Sequence, residues 1–324
     1  MAEMIPPAGA GAFLDAHGWA GVIEPLSGDA SFRRYFRVHS EGRDAILMDA
    51  PPPQEAPQRF LDVAAWLTAH GFAAPAIHAA DAEAGLVLLE DFGDARMREA
   101  VDEDAGTIER LYGAAIDLLV TLAEAPAGPF PPYDRDLLQR ESGLLLEWYC
   151  PALGIEVDRE GYVEAWDAVL GHAAAKRAVT VLRDYHAENL MLVGETQTLG
   201  LLDFQDALVG HPAYDLVSLL QDARRDVAPE TEAAMLARYR AATGAGEDFM
   251  NAYHVLGAQR NAKIIGIFTR LWRRDGKARY PTLCPRVWSY LERDLAEPVL
   301  APVARWFDAN IPPELRGDPL ALAR

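Results

Sequence analysis

The segment Val179–Asp206, VTVLRDYHAENLMLVGETQTLGLLDFQD, constrains the fold more than any other stretch of the chain. Val179, Val181 and Leu182 lead into the polar run Arg183–Asn189, and Leu190 to Val193 follow. Gly194 to Gln197 turns the chain, and Leu199 to Leu202 delivers Asp203. Short apolar runs bounded by turn formers predict short buried strands. Each polar cluster then falls at a strand end, where side chains reach a ligand while the backbone is held.

The spacing of three polar residues has a chemical meaning. Asp184 and Asn189 lie five apart on one loop, and Asp203 comes fourteen residues later on the returning strand. Phosphoryl transfer needs a carboxylate to orient the attacking hydroxyl and accept its proton, and hard oxygen ligands for Mg²⁺. The order D-x-x-x-x-N followed by D-F is that of a kinase catalytic loop and metal loop. Any one of these residues alone is equally a turn former bonding its own backbone. The three together between apolar strands predict Asp184 as the catalytic base and Asn189 and Asp203 as metal ligands.

VLRDYHAENLML and LGLLDFQDALVGHPAYDLVSLL resemble the aminoglycoside phosphotransferase superfamily, small-molecule relatives of the protein kinases. LSGDASFRRYFRV, ILMDAPP, GLVLLEDFGD and QRNAKIIGIFTRLWRRDG are similar to one branch, the anomeric N-acetylmuramate/N-acetylglucosamine kinases of cell-wall recycling. The resemblance implies ATP and Mg²⁺ as cofactors, and an amino-sugar C1 hydroxyl as acceptor. It also implies that Asp215, with Arg183, supports the catalytic loop. Capping of the helix that Asp215 begins is the structural alternative.

The strand-rich first ninety or so residues, followed by a helical remainder broken by one hairpin, predict an α+β, two-lobe protein-kinase-like fold. The lobes divide as 1–91, binding nucleotide, and 92–324, helical, catalytic and acceptor-binding. In the first lobe, Val22 to Leu26 and Phe32 to Val38 read as strands joined by a turn of small residues. Ser27, Gly28, Asp29 and Ser31 in that turn are placed to cover a triphosphate with backbone N–H groups. An ordinary hairpin is the plain alternative. The third strand, Ala45 to Met48, lacks the lysine that kinases pair with a helix glutamate. Arg33 and Arg34 are candidates for its charge. Arg34 is slightly favoured because it shares a strand face with Phe36 and Val38. Glu90 and Asp91 end the strand Leu86 to Leu89; in a kinase-like fold they mark the hinge where adenine meets backbone groups, and a plain strand-to-loop exit is the alternative.

The remainder reads as helices over 107–122, 134–148, 159–175, 213–222, 230–242, 253–272, 288–295 and 301–308. The helix at 253–272 carries Arg260, Lys263 and Arg270, with Arg273 and Arg274 after it. These form either a solvated basic face or part of an acceptor site. His186 and His211 read as hydrogen-bonding loop residues rather than metal ligands.

Composition narrows the partners. With 30 Lys+Arg against 49 Asp+Glu the formal net charge is −19, so a nucleic-acid partner is not expected. The two cysteines, Cys150 and Cys284, do not form a disulfide framework and suit a reducing compartment. The first residues carry no basic start with a long apolar run, and no segment reaches the length of a membrane helix. A soluble, cytoplasmic enzyme acting on a small molecule is expected, without membrane association. Three functions stay open: a sugar kinase, an aminoglycoside kinase, and a nucleotide-binding kinase-like module that transfers nothing.

Overall fold

The computed structural model describes residues 5–26, 33–173 and 178–323. The chain divides into two compact units, Met1–Asp104 with Ala187–Ala207, and Ala105–His186 with Leu208–Arg324. The strands among the described residues are β1 (Val22–Leu26), β2 (Arg34–Ser40), β3 (Arg43–Asp49), β4 (Ile77–Asp81), β5 (Leu86–Glu90), β6 (Val179–Val181), β7 (Leu190–Val193), β8 (Thr198–Leu201) and β9 (Leu208–Gly210). The α-helices are α1 (Ala10–Ala16), α2 (Pro57–Ala69), α3 (Met97–Glu103), α4 (Ile108–Glu124), α5 (Arg135–Ser142), α6 (Cys150–Leu153), α7 (Arg159–Asp167), α8 (Ala213–Leu220), α9 (Pro229–Thr243), α10 (Glu247–Asp275), α11 (Cys284–Leu295), α12 (Ala301–Asn310) and α13 (Pro319–Leu322).

The first unit is built on a five-stranded antiparallel sheet of order β1-β2-β3-β5-β4. Alternate residues of a strand share a face, and that rule places Phe36 and Val38 together with no exposed surface. Phe36 pairs with Leu47, which pairs with Leu88, so one apolar row crosses three strands. Phe13, Leu14 and Trp19 pack onto this face and complete a core cluster. Truncating Leu47 to alanine would cost about 2–5 kcal/mol, as for other buried leucines. The β2–β3 turn is a two-residue hairpin loop, Glu41-Gly42, with φ of 50° and 80°. Positive φ at both positions is the type I′ geometry that matches strand twist.

β2 begins at Arg34, two residues later than the strand expected from Phe32. Arg33 therefore precedes the ladder. The Ser27, Gly28, Asp29 and Ser31 turn lies outside the described residues. The β7–β8 hairpin belongs to the same unit. Leu201 N–H donates to Ala73 O at 2.7 Å and Leu192 N–H to Ala95 O at 2.8 Å.

The second unit is helical around the short β6–β9 pair. Its central element is α10, 29 residues long and buried over most of Ala252–Leu271. Two helices end earlier than periodicity predicts. α5 stops at Ser142, and the chain widens into a π-helical turn over Leu145–Tyr149. There Gly266 of α10 lies so close to Leu144 that an added Cβ would sit 2.4 Å from its carbonyl carbon. α7 stops at Asp167 and continues as a 3₁₀ turn over Leu170–Ala173. The basic residues of α10 divide: Arg260 is buried, Lys263 is paired with Glu141, and Arg273 and Arg274 are exposed at the C-terminal end. A single solvated basic face is not what forms. Cys150 and Cys284 are both buried and unbridged. Among the described residues no helix is long and apolar enough to cross a membrane.

Candidate active site

In the second unit, β6 feeds the loop 182–186. Asp215, in the first turn of α8, accepts the Leu182 N–H at 2.7 Å and the Arg183 N–H at 2.8 Å. Burial pushes this carboxyl up to about 7, against the two backbone donors that favour its ionised form. Ser218, one turn further, donates to Arg183 O at 3.0 Å and accepts from the Arg260 guanidinium at 2.8 Å. Tyr185 anchors the loop to α4 through its hydroxyl, which donates to Ala115 O at 2.7 Å. Arg183 adopts φ of 71°, a left-handed backbone that a side chain with Cβ resists. Such strain persists where the surroundings over-determine it, and it gathers at functional sites. The Arg183 guanidinium is held by Glu141, which also binds Lys263 at 2.9 Å.

Asp184 is partly exposed in this setting. Burial raises its pKa, but the charges of His186, Lys263, Arg260 and Arg183 outweigh that and hold the carboxyl below the ordinary aspartate value. It is therefore ionised at neutral pH, which a proton acceptor requires. His186 meets Arg224 through Nε2 at 3.1 Å, and His211 accepts the Ala213 N–H at 3.1 Å. Burial pushes His211 down to about 4, so it is neutral. Both are hydrogen-bonding residues.

In the first unit, Asn189 ends a 3₁₀ turn, Ala187–Asn189, and its carbonyl accepts the Leu202 N–H at 3.0 Å. That bond ties Asn189 to the residue preceding Asp203. Asp203 has φ of 56°, again left-handed. The next residue, Phe204, is buried and stacks on Phe60 of α2 at 4.9 Å between ring centroids. The Asp203 carboxylate is 44% exposed; Gln205 Nε2 donates to it at 3.0 Å and Arg33 lies 3.5 Å away. Among the described residues no three His, Cys, Asp or Glu side chains cluster as an all-protein metal cage. Mg²⁺ does not need one, because it keeps waters and phosphate ligands and takes only one or two protein oxygens. An amide and an accessible carboxylate, both hard donors on one braced hairpin, fit that ion.

The remaining expected residues have definite partners. Arg34 bonds Asp49, its cross-strand neighbour, at 2.7 Å, and Ile5 O at 3.1 Å. Glu90 gives its N–H to Ala76 O and takes the Ala76 N–H on its carboxylate. Asp91 is gripped by Arg37, whose Nε lies 2.6 Å away, and it accepts the Gly93 N–H at 2.7 Å. Arg37 reaches Asp94 as well, at 2.9 Å. Sequence reasoning misses this clamp from β2 to the segment after β5, and it misses Ser218, Glu55 and the pairing of Lys263 with Glu141. Their partners lie far along the chain, and no local pattern marks them. The D-x-x-x-x-N signal does find Asp184 and Asn189, because those two share one loop.

The chain matches the phosphotransferase enzyme family over residues 22–253. It is 40% identical to the N-acetylmuramate/N-acetylglucosamine kinase of Caulobacter vibrioides, over 94% of this chain and 96% of that protein. It is 39% identical to the protein of the same name from Pseudomonas aeruginosa, over 87% of each. The solved structure of choline kinase LicA from Streptococcus pneumoniae superposes with a TM-score of 0.61 at 14% identity, covering 86% of this chain and 93% of that one. The likeness to that structure confirms the α+β kinase-like fold, with a small antiparallel-sheet part and a larger helical part. By the family match over most of its length, and by relatives near 40% identity along almost all of it, the chain belongs to the phosphotransferase enzyme family.

Proposed function

We propose that the chain is a kinase that transfers the γ-phosphoryl group of ATP to the C1 hydroxyl of N-acetylmuramate or N-acetylglucosamine, in the cytoplasm. Asp184 orients that hydroxyl and takes its proton as the new O–P bond forms and ADP leaves. Arg183 and Asp215 keep the loop in place, so the carboxylate is aligned before the reaction begins. Asn189 and Asp203 would hold Mg²⁺, which would offset part of the charge of the phosphates. Ser27, Gly28, Asp29 and Ser31 are assigned to the triphosphate from the sequence alone. Glu90 and Asp91 border the adenine. In this division of labour residues 1–91 bind nucleotide, and residues 92–324 carry catalysis and acceptor binding.

The observation that carries the chemistry is the loop of Asp184, braced by Asp215 and surrounded by Arg183, Arg260 and Lys263, whose charges hold its carboxyl below the ordinary aspartate value. The acceptor rests on the relatives' names and on their coverage of nearly the whole chain. ATP consumption should be measured with N-acetylmuramate, N-acetylglucosamine, choline and an aminoglycoside, and the product identified by ³¹P NMR. An anomeric sugar phosphate is expected. Turnover of the aminoglycoside with neither sugar consumed would overturn the acceptor, and ATP binding without turnover of any acceptor would overturn the kinase reading.

A further inference from the structure

Kinases meet the nucleotide phosphates with a strand lysine steadied by a helix glutamate. Here the third strand presents Met48, which is fully buried and apolar. A triphosphate carries about four negative charges, of which a divalent ion offsets part. The first unit must therefore supply a cation from elsewhere.

Three arginines compete for that place. Arg34 is bound closely to Asp49 through two nitrogens, at 2.7 and 2.5 Å. Arg37 is bound closely to Asp91 and Asp94, at 2.6 and 2.9 Å. Both sit in the β2 ladder, each committed to carboxylates that no sequence signal ties to phosphate chemistry. Arg33 differs in place and in company. It lies one residue before Arg34, the first residue of β2, and so outside the β2–β3 ladder. Its side chain is only 10% exposed. It lies 3.5 Å from Glu55, just ahead of α2, and 3.5 Å from Asp203. Asp206 adds negative potential around it, and the Tyr35 phenol beside it is pushed up to about 12, chiefly by burial.

The arrangement reproduces the missing pair with different residues. Glu55 lies just ahead of α2, whereas the glutamate of a kinase lies within its helix; it supplies the carboxylate, and Arg33 supplies the charge. A guanidinium offers five N–H donors in a rigid fork, a geometry that matches phosphate oxygens. Asp203 is the carboxylate assigned to the metal, so Arg33 stands beside the place where polyphosphate and metal meet. We infer that Arg33, steadied by Glu55, is the polyphosphate-binding cation of this enzyme and takes the role of the absent lysine. The inference rests on the reading of Asp203 as the metal and nucleotide site.

The test is nucleotide binding by titration calorimetry, with Mg²⁺ and again in EDTA, on Arg33→Ala, Arg33→Lys, Glu55→Gln and Asp203→Ala. Arg33→Ala should weaken ATP at least tenfold in both conditions, with the melting temperature of the ligand-free protein unchanged. Arg33→Lys should restore part of the affinity, because a lysine keeps the charge but not the fork. Glu55→Gln should raise the ATP KM with a smaller effect on kcat. Asp203→Ala should lose affinity only where Mg²⁺ is present. If Arg33→Ala binds ATP like the parent in EDTA while Asp203→Ala loses Mg·ATP, the arginine assignment is wrong and the site stands. If Asp203→Ala keeps full Mg·ATP affinity, the site itself is misplaced and this inference falls with it.

Discussion

The loop bearing Asp184 and the loop bearing Asp203 both place an aspartate at a strand end beside a left-handed backbone, yet they are held in opposite ways. The first is fixed by several hydrogen bonds to its backbone and one from a side chain. Asp215 takes two N–H groups, Ser218 bonds the Arg183 carbonyl, and Tyr185 reaches Ala115. Around it Glu141, Lys263, Arg260 and Arg183 form a largely buried charge network. The second is held among the described residues by Phe204 stacked on Phe60, by the Leu202 to Asn189 and Ala207 to Phe204 backbone bonds, and by Gln205 on the Asp203 carboxylate. Its carboxylate is partly exposed and 3.5 Å from Arg33. A proton acceptor has to be aligned before the reaction, because realignment during it adds to the barrier. A metal ligand has to trade water and counter-charge for the ion each time nucleotide arrives, so a lighter hold serves it.

Breaking the first loop's chemistry should produce the largest change. Asp184→Asn keeps shape and removes the base, so kcat should fall about 10³-fold, within the range for a lost general base, while ATP affinity stays near that of the parent. Equal losses in affinity and turnover would make Asp184 a scaffold residue.

The contrast in bracing is sharpened by one pair of variants. Asp203→Ala should weaken Mg·ATP about 100-fold, the upper order for lost support at a metal site, and leave the melting temperature close to the parent's. Asp215→Ala strands two buried backbone N–H groups, at about 1–3 kcal/mol each, so it should lower the melting temperature by several degrees with a smaller loss of nucleotide affinity. Should both variants melt at the same temperature, the two loops are braced alike and the comparison fails.

The smallest effect is in pH dependence. Asp184 is held below the ordinary aspartate value. A depressed pKa adds stability above the unfolded value, about 3.9, and that stability is lost as pH falls through the lower folded value. The acid limb of kcat/KM that belongs to Asp184 should therefore lie below about pH 4. The stability profile of Asp184→Asn should be flatter than the parent's on the acid side. A limb near pH 6 that vanishes in Asp184→Asn would show that the surrounding cations do not reach it.

Much of the sheet is legible in the chain because its signals are local. Phe36 and Val38 alternate with polar neighbours, and Glu41-Gly42 closes a hairpin that the register Ser40 to Arg43 completes. The candidate site is half legible for the same reason. Asp184 and Asn189 share a loop, and Asp203 follows after one hairpin. Arg34 shows where the reasoning ends: its strand face follows from alternation, but its partner does not. Asp49 lies fifteen residues away and is brought opposite by the ladder.

By itself the sequence determined the elements and the order of the polar loops, since strand alternation, helical period and turn chemistry depend on residues a few positions apart. Only the tertiary structure decided which charges meet. Arg33 and Asp203 are 170 residues apart, Arg37 and Asp91 are 54 apart, and Leu182 and Asp215 are 33 apart. A side chain a few ångströms long selects its partner after the backbone has been placed, and several carboxylates compete for each arginine in a chain this acidic. Folding resolves that competition, through the ladder that carries Arg34 to Asp49 and leaves Arg33 beside Glu55 and Asp203.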